Sequence, residues 1–82
     1  MAYTPTPGFF DISKRPKGLD KRTHQIMQET QMELAHMQKN AKQYREHFSL
    51  QWEKAKDVSA NLQRMIFRYY SHEELFGPDS SP

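Results

Sequence analysis

Between Gly18 and Gly77 the chain contains neither glycine nor proline, and its residues are dominated by Gln, Glu, Lys, Arg, Met, Ala and Leu. All of these are good helix formers, so the stretch reads as helix almost by elimination. Within it, apolar residues recur at alternating spacings of three and four: Met27, Thr30, Leu34, Met37, Ala41, Tyr44, Phe48, Gln51, Ala55, Val58, Leu62, Met65 and Tyr69. Only Thr30 and Gln51 interrupt this heptad seam, which is the mark of a long helix whose stripe must be covered. The expected fold class is therefore all-α: one long heptad-patterned helix over 20–70, preceded by an extended arm over 1–19 and not an independent globular domain. A helix of that length would run roughly 75 Å at about 1.5 Å per residue. Asp57, Ser59 and Asn61 are weak formers, so a break near 56–61 is one expected departure.

The flanks of the stretch carry their own signals. Thr4-Pro5-Thr6-Pro7-Gly8 excludes helix, because each proline fixes its own backbone and pushes the preceding residue into extended geometry. Phe9, Phe10 and Ile12 follow on the arm and read as anchors for pockets on another protein, or else as groups that fold back on the helix. Asp20 is placed to accept hydrogen bonds from the first free amides of the helix it opens. At the other end Ser71-His72-Glu73-Glu74 has the form of a capping box, so a break at 70–71 with a short capped turn over 71–77 is the second expected departure. Residues 78–82 read as a loose acidic tail.

Composition excludes whole classes of function. The chain has 82 residues and no cysteine, so disulfides, thiolate metal sites and cysteine nucleophiles are absent. A chain this short is one domain at most and buries little surface on its own. No apolar run approaches the roughly 20 residues that cross a bilayer, and the expected location is intracellular and soluble, in a compartment the residues do not name. His36 and His47 would lie about 16 Å apart along a helix, too far to share a metal. Glu33 and His36 make one Glu-x-x-His pair where a dimetal bundle site needs two pairs and further carboxylates. The four histidines therefore read as solvated. There is no glycine-rich elbow for a nucleophile and no phosphate-binding glycine loop. Neither a catalytic residue nor a cofactor is expected, and the chain reads as a non-enzyme.

What remains is binding. In a parallel homodimer the residues flanking the seam would meet as Glu33 with Gln38, Asn40 with Arg45, His47 with Trp52, Lys54 with Ser59 and Asn61 with Ile66, none an opposite-charge pair. The alternation of Ala41 and Ala55 with Tyr44 and Phe48 favours an irregular foreign surface over a second copy. After Phe48, the residues Leu50, Trp52, Ile66, Phe67 and Tyr70 spread apolar groups around the helix, so Phe48 to Phe76 is the expected main interface. Trp52, Phe67, Tyr69 and Tyr70 are its expected hot spots, with Tyr44, Leu62 and Ile66 beside them. The expected function is a non-catalytic accessory or structural subunit docking by its arm and helix onto other proteins of a larger assembly. Lys14, Arg15, Lys17, Lys21 and Arg22 form a basic patch, and the first alternative is a small nucleic-acid-contacting protein of a ribonucleoprotein. A homodimeric coiled-coil adaptor is the second, and a hairpin that covers its own aromatics a further structural alternative. Arg64 to Tyr70, with aromatics beside cations, also suits a lipid interface, less well. Thr4, Thr6 and Ser81 precede prolines and are candidate phosphorylation positions.

Overall fold

In the computed structural model, which describes residues 9–76, four helices follow one another: α1 (Lys21–Lys39), α2 (Ala41–His47), α3 (Ser49–Tyr69) and α4 (His72–Phe76). No strand is present among the described residues. The continuous 50-residue helix is not what forms, and the longest dimension is 40 Å. The chain bends at Asn40 and again at Phe48, and α3 runs back antiparallel to α1. The chain forms a hairpin, but not one that covers its own aromatics, since Phe48, Phe67 and Phe76 remain exposed.

Both bends are made without glycine. Asn40 leaves helical geometry at φ −112°, ψ 35°, and its side-chain Nδ2 donates to the His36 carbonyl at 2.9 Å, capping the end of α1. Its backbone amide donates to the carbonyls of His36 and Met37, both at 3.2 Å. Phe48 bends in the same way at φ −135°, ψ 48°, its amide held by the Tyr44 carbonyl at 2.8 Å. Each one-residue bend thus returns its amide to the preceding turn and satisfies some of the carbonyls that a helix end leaves open. Residues 56–61, by contrast, lie inside α3 without a break. There Ser59 and Ala55 are half-buried and Leu62 is buried, so packing outweighs the few tenths of a kcal/mol by which Asp, Ser and Asn disfavour a helix.

The helix ends follow local chemistry. Asp20 Oδ2 accepts from the Thr23 amide at 3.0 Å at the start of α1. At the far end Tyr70 is extended and closes α3, and Ser71 and Glu74 exchange capping bonds of 2.9 and 3.1 Å before α4.

The core sits at one end of the hairpin and is built from three segments. Ile12 and Leu19 from the arm, Met27 from α1, and Leu62, Ile66 and Tyr70 from the end of α3 are all buried together. The arm therefore folds back. A turn from Pro16 to Leu19, closed by the Leu19 amide on the Pro16 carbonyl at 3.3 Å, reverses it into α1. Gly18 sits at φ 90° in this turn, a geometry that a side chain disfavours. Ile12 is 0% exposed, and burying such a side chain is worth about 1.5–3 kcal/mol.

Polar side chains of the hairpin hold the arm's backbone. The Ile12 carbonyl accepts from Gln28 Nε2 at 3.1 Å and from the Tyr70 hydroxyl at 3.4 Å, and His24 Nε2 lies 2.7 Å away. A carbonyl only accepts, so His24 carries its proton on Nε2. Gln31 Nε2 donates to the Phe10 carbonyl and the Tyr70 hydroxyl to the Lys14 carbonyl. His24 is thus buried and engaged, which corrects the reading of all four histidines as solvated; His36, His47 and His72 are exposed.

Candidate protein-docking surface

The fold sorts the expected interface residues into two sets. Ile12, Leu62, Ile66 and Tyr70 are inside the molecule and are withdrawn as partner contacts, because the chain's own arm and helices occupy them. Tyr69 and Phe10 are half-buried against that core. Tyr44, Phe9 and Trp52 are half-buried at clefts, while Phe48 and Phe67 are exposed. All five cations of the expected basic patch, Lys14, Arg15, Lys17, Lys21 and Arg22, are exposed, with Arg15 Nη1 donating to the Leu19 carbonyl at 3.3 Å. Thr4, Thr6 and Ser81, like the expected tail over 78–82, lie outside the described residues.

Toward α2 the hairpin opens. Two clefts share Leu34, Met37 and Ala55 as a common wall. The first, about 330 Å³, is lined further by Thr30 and Glu33 of α1, Tyr44 of α2, and Gln51, Lys54 and Val58 of α3. The second, about 370 Å³, takes in Phe9 with Gln38, Trp52, Lys56 and Ser59. On α3, residues 51, 54 and 58 lie on one side of Ala55 and residues 52, 56 and 59 on the other, so the clefts mark two faces of the hairpin.

The face that carries the arm is aromatic. Phe10 packs edge-on against Phe67 with ring centroids 5.3 Å apart and against Phe76 at 5.4 Å. Phe67 is nonetheless 54% exposed and Phe76 50% exposed, so their outer surfaces face solvent. Phe9 continues the row into the cleft with Trp52, whose ring lies 6.0 Å from the Arg45 guanidinium. Phe76 was read only as the limit of the expected interface and His24 only as a solvated histidine, and Gln28 and Gln31, which with His24 hold the arm's carbonyls, were not singled out in the sequence. A signal existed for the latter, since 24, 28 and 31 lie at helical spacing on one face beside Met27.

Charge is distributed unevenly along the hairpin. In residues 25–60, Lys39, Lys42, Arg45, Lys54 and Lys56 are matched in number by Glu29, Glu33, Glu46, Glu53 and Asp57. At the arm end Lys14, Arg15, Lys17, Lys21, Arg22, Arg64 and Arg68 stand against only Asp11, Asp20, Glu73 and Glu74. Three of those acids are held below their ordinary pKa by local hydrogen bonds. Ser13's hydroxyl and then its amide do this for Asp11, Thr23 for Asp20, and the Ser71 amide and then hydroxyl for Glu74. The Lys14 charge adds a smaller effect at Glu74. Among the described residues, no group of three His, Cys, Asp or Glu side chains is placed to hold a metal ion, and no helix is long and apolar enough to cross a membrane.

The class of protein this defines is a helical hairpin closed at one end by its own N-terminal strap. Comparison with protein-family models, curated proteins and solved structures finds no match.

Proposed function

We propose that this chain is a non-catalytic accessory subunit that docks onto other proteins of a larger assembly through the aromatic face of the hairpin. The observation that carries this reading is the row of Phe9, Trp52, Phe10, Phe67 and Phe76, in which Phe10 packs edge-on against the part-exposed rings of Phe67 and Phe76 and Phe9 lines one cleft with Trp52. Ordered aromatics on a rigid surface lose little entropy on binding and dominate interface energies when a partner covers them. The arm contributes by presenting Phe9 and Phe10 from an anchored backbone, rather than by inserting Ile12 into a partner.

The uneven charge favours a second reading, in which the arm end contacts nucleic acid. Binding of that kind weakens steeply as salt rises, in proportion to the phosphates neutralised. The two readings separate in one experiment. Tagged full-length chain is purified from cells alongside Trp52→Ala, Phe67→Asp and a Lys14→Ala/Arg15→Ala/Lys17→Ala variant. Docking through aromatics predicts that stoichiometric protein partners are lost from the first two variants and persist in about 0.5 M salt, where charge screening is strong. Partners lost with the lysine and arginine variant and with salt, but retained by Trp52→Ala and Phe67→Asp, would overturn it.

A further inference from the structure

The face opposite the arm changes character toward the closed end of the hairpin. Glu33 of α1 and Lys54 of α3 line the first cleft. Arg22 precedes Glu33 by eleven residues, and Asn61 and Arg68 follow Lys54 by seven and fourteen, so all lie on that same face. Met27 meets Leu62 in the core of this antiparallel pair, so the start of α1 stands beside the end of α3. There a cleft of about 400 Å³ is lined by Asn61, Arg64, Met65 and Arg68. Arg22, Arg64 and Arg68 are exposed, and Met65 is half-buried. Arg64 Nη1 donates to Asn61 Oδ1 at 3.1 Å, which ties the guanidinium to the cleft wall and leaves the Asn61 amide nitrogen as a further donor. Among the described residues the ion pair is Lys56 with Glu53 at 3.2 Å, so none of the three arginines has a carboxylate of its own. Arg64 and Arg68 are one turn apart, a spacing at which like charges repel.

We infer that this cleft binds the phosphate monoester of a soluble molecule, its dianionic group bridging Arg64 and Arg68 with Arg22 approaching from α1. A carboxylate carries one charge and two oxygens, which a single guanidinium fork already satisfies. Three guanidiniums and an amide match a dianion with three terminal oxygens, which is what a phosphate monoester presents near neutral pH. Arginine suits it because its planar fork meets two oxygens at once and its charge does not titrate. Met65 supplies an apolar wall for the organic part of the ester. The basic patch is a point and not a track. Seven residues toward α2 on the same sides of the helices, the charge reverses at Asp57 on α3 and at Glu29 on α1, about 10 Å along each axis from Arg64 and Arg22. A nucleic-acid backbone or an anionic membrane draws on cations that continue past that distance. Asp20, the acid nearest Arg22 in sequence, is engaged with the Thr23 amide at 3.0 Å. Phe67 falls between the two arginines of α3 in sequence but packs on Phe10 at the arm. Phosphate binding and docking through the aromatic face therefore use separate residues and stand or fall separately.

The test is a titration of the isotope-labelled full chain, followed by nuclear magnetic resonance of the arginine Nε–H groups at about pH 7.5, where a phosphate monoester is dianionic. Ionic strength is held constant with sodium chloride. Phenyl phosphate is the probe, and dimethyl phosphate, acetate and an oligoribonucleotide are its comparisons. The Arg64 and Arg68 signals are expected to shift saturably with phenyl phosphate, at least about tenfold more tightly than with dimethyl phosphate or acetate. R64Q and R68Q, both at exposed positions, are expected to keep the helical circular dichroism and to weaken binding about tenfold each. The Lys14→Ala/Arg15→Ala/Lys17→Ala variant is expected to stay within about twofold of the wild type. Shifts that are unsaturable and alike for all the anions would overturn the inference, leaving only diffuse attraction. Tighter binding of the oligoribonucleotide, lost in the Lys14→Ala/Arg15→Ala/Lys17→Ala variant, would overturn it in favour of nucleic acid. A wild type that ignores phenyl phosphate beside an Asp79→Asn variant that binds it would give the cleft to the chain's own C-terminal residues. Vesicles of phosphatidylcholine with phosphatidic acid, whose headgroup is the same monoester, are expected not to co-sediment with the chain; co-sedimentation lost in R64Q would overturn the assignment to a soluble molecule.

Discussion

The two ends of the hairpin are made from the same kind of sequence and reach opposite states of packing. At the arm end, three segments converge and Ile12, Leu19, Met27, Leu62, Ile66 and Tyr70 exclude water. At the α2 end, Tyr44, Phe48, Leu50 and Trp52 are as large and apolar, yet Phe48 and Leu50 are exposed and the helices stand apart over open clefts. The difference is the third segment. A pair of helices can cover only one side of each stripe, and the arm supplies a second layer where it lies, while among the described residues Phe48 and Leu50 have no such layer over them. Buried apolar contact is thus concentrated at one end and exposed apolar surface at the other.

The largest test of this contrast is a matched pair of truncations. Ile12→Ala is expected to cost about 2–5 kcal/mol, since it empties a fully enclosed site, whereas Phe48→Ala, at an exposed position, is expected to stay within about 0.5 kcal/mol. Urea denaturation followed by circular dichroism measures both; equal losses would mean that the arm is not what closes the core. A smaller effect is expected from Tyr70→Phe, which keeps the ring and removes the hydroxyl whose one proton is shared between the Lys14 carbonyl and, at 3.4 Å, that of Ile12. Gln28 and His24 still serve the Ile12 carbonyl, so the loss should be about 1 kcal/mol, with faster amide exchange in the arm before the helices.

The smallest expected effect is a pH dependence confined to the arm end. Asp11, Asp20 and Glu74 all titrate below their ordinary range in the folded chain because neighbouring amides and hydroxyls favour the ionised forms. A depressed carboxyl stabilises the fold fully above its unfolded pKa, near 4, and loses that contribution as pH falls through the folded value. Thermal midpoints should therefore fall below about pH 4. In a D20N/E74Q variant, which retains capping groups but not their charge, this acid limb should flatten. An unchanged acid limb would show that these caps do not govern it.

Much of the local structure was legible in the residues. Helix across 21–69 followed from composition, the start of α1 from Asp20, and the capped turn at Ser71 from its partner Glu74. The bends were not. Asn40 is a common residue at helix ends, but in a run of strong formers it stands out less than Asp57, Ser59 and Asn61, which remain inside α3. The local preferences at the two places differ by tenths of a kcal/mol, and burial across the hairpin decides between them. The residues expected at an interface divide similarly. Phe67 and Trp52 retain surface, whereas Ile66, beside Phe67 on α3, and Tyr70, just past its end, turn into the core.

By itself, then, the sequence determined that the chain is helical, where its helices are capped, and that one apolar stripe runs along them. Periodicity states that such a stripe must be covered and is silent about what covers it. A foreign helix, a second copy and the returning half of the same chain satisfy it equally at the level of local spacing. Only the tertiary structure decided that the chain covers itself at the arm end, because that choice depends on a strap from residues 9–19 meeting helix faces far away in sequence. His24 and Gln31 show the consequence most plainly: polar residues on a helix, they are buried because the strap's carbonyls lie where water would otherwise be.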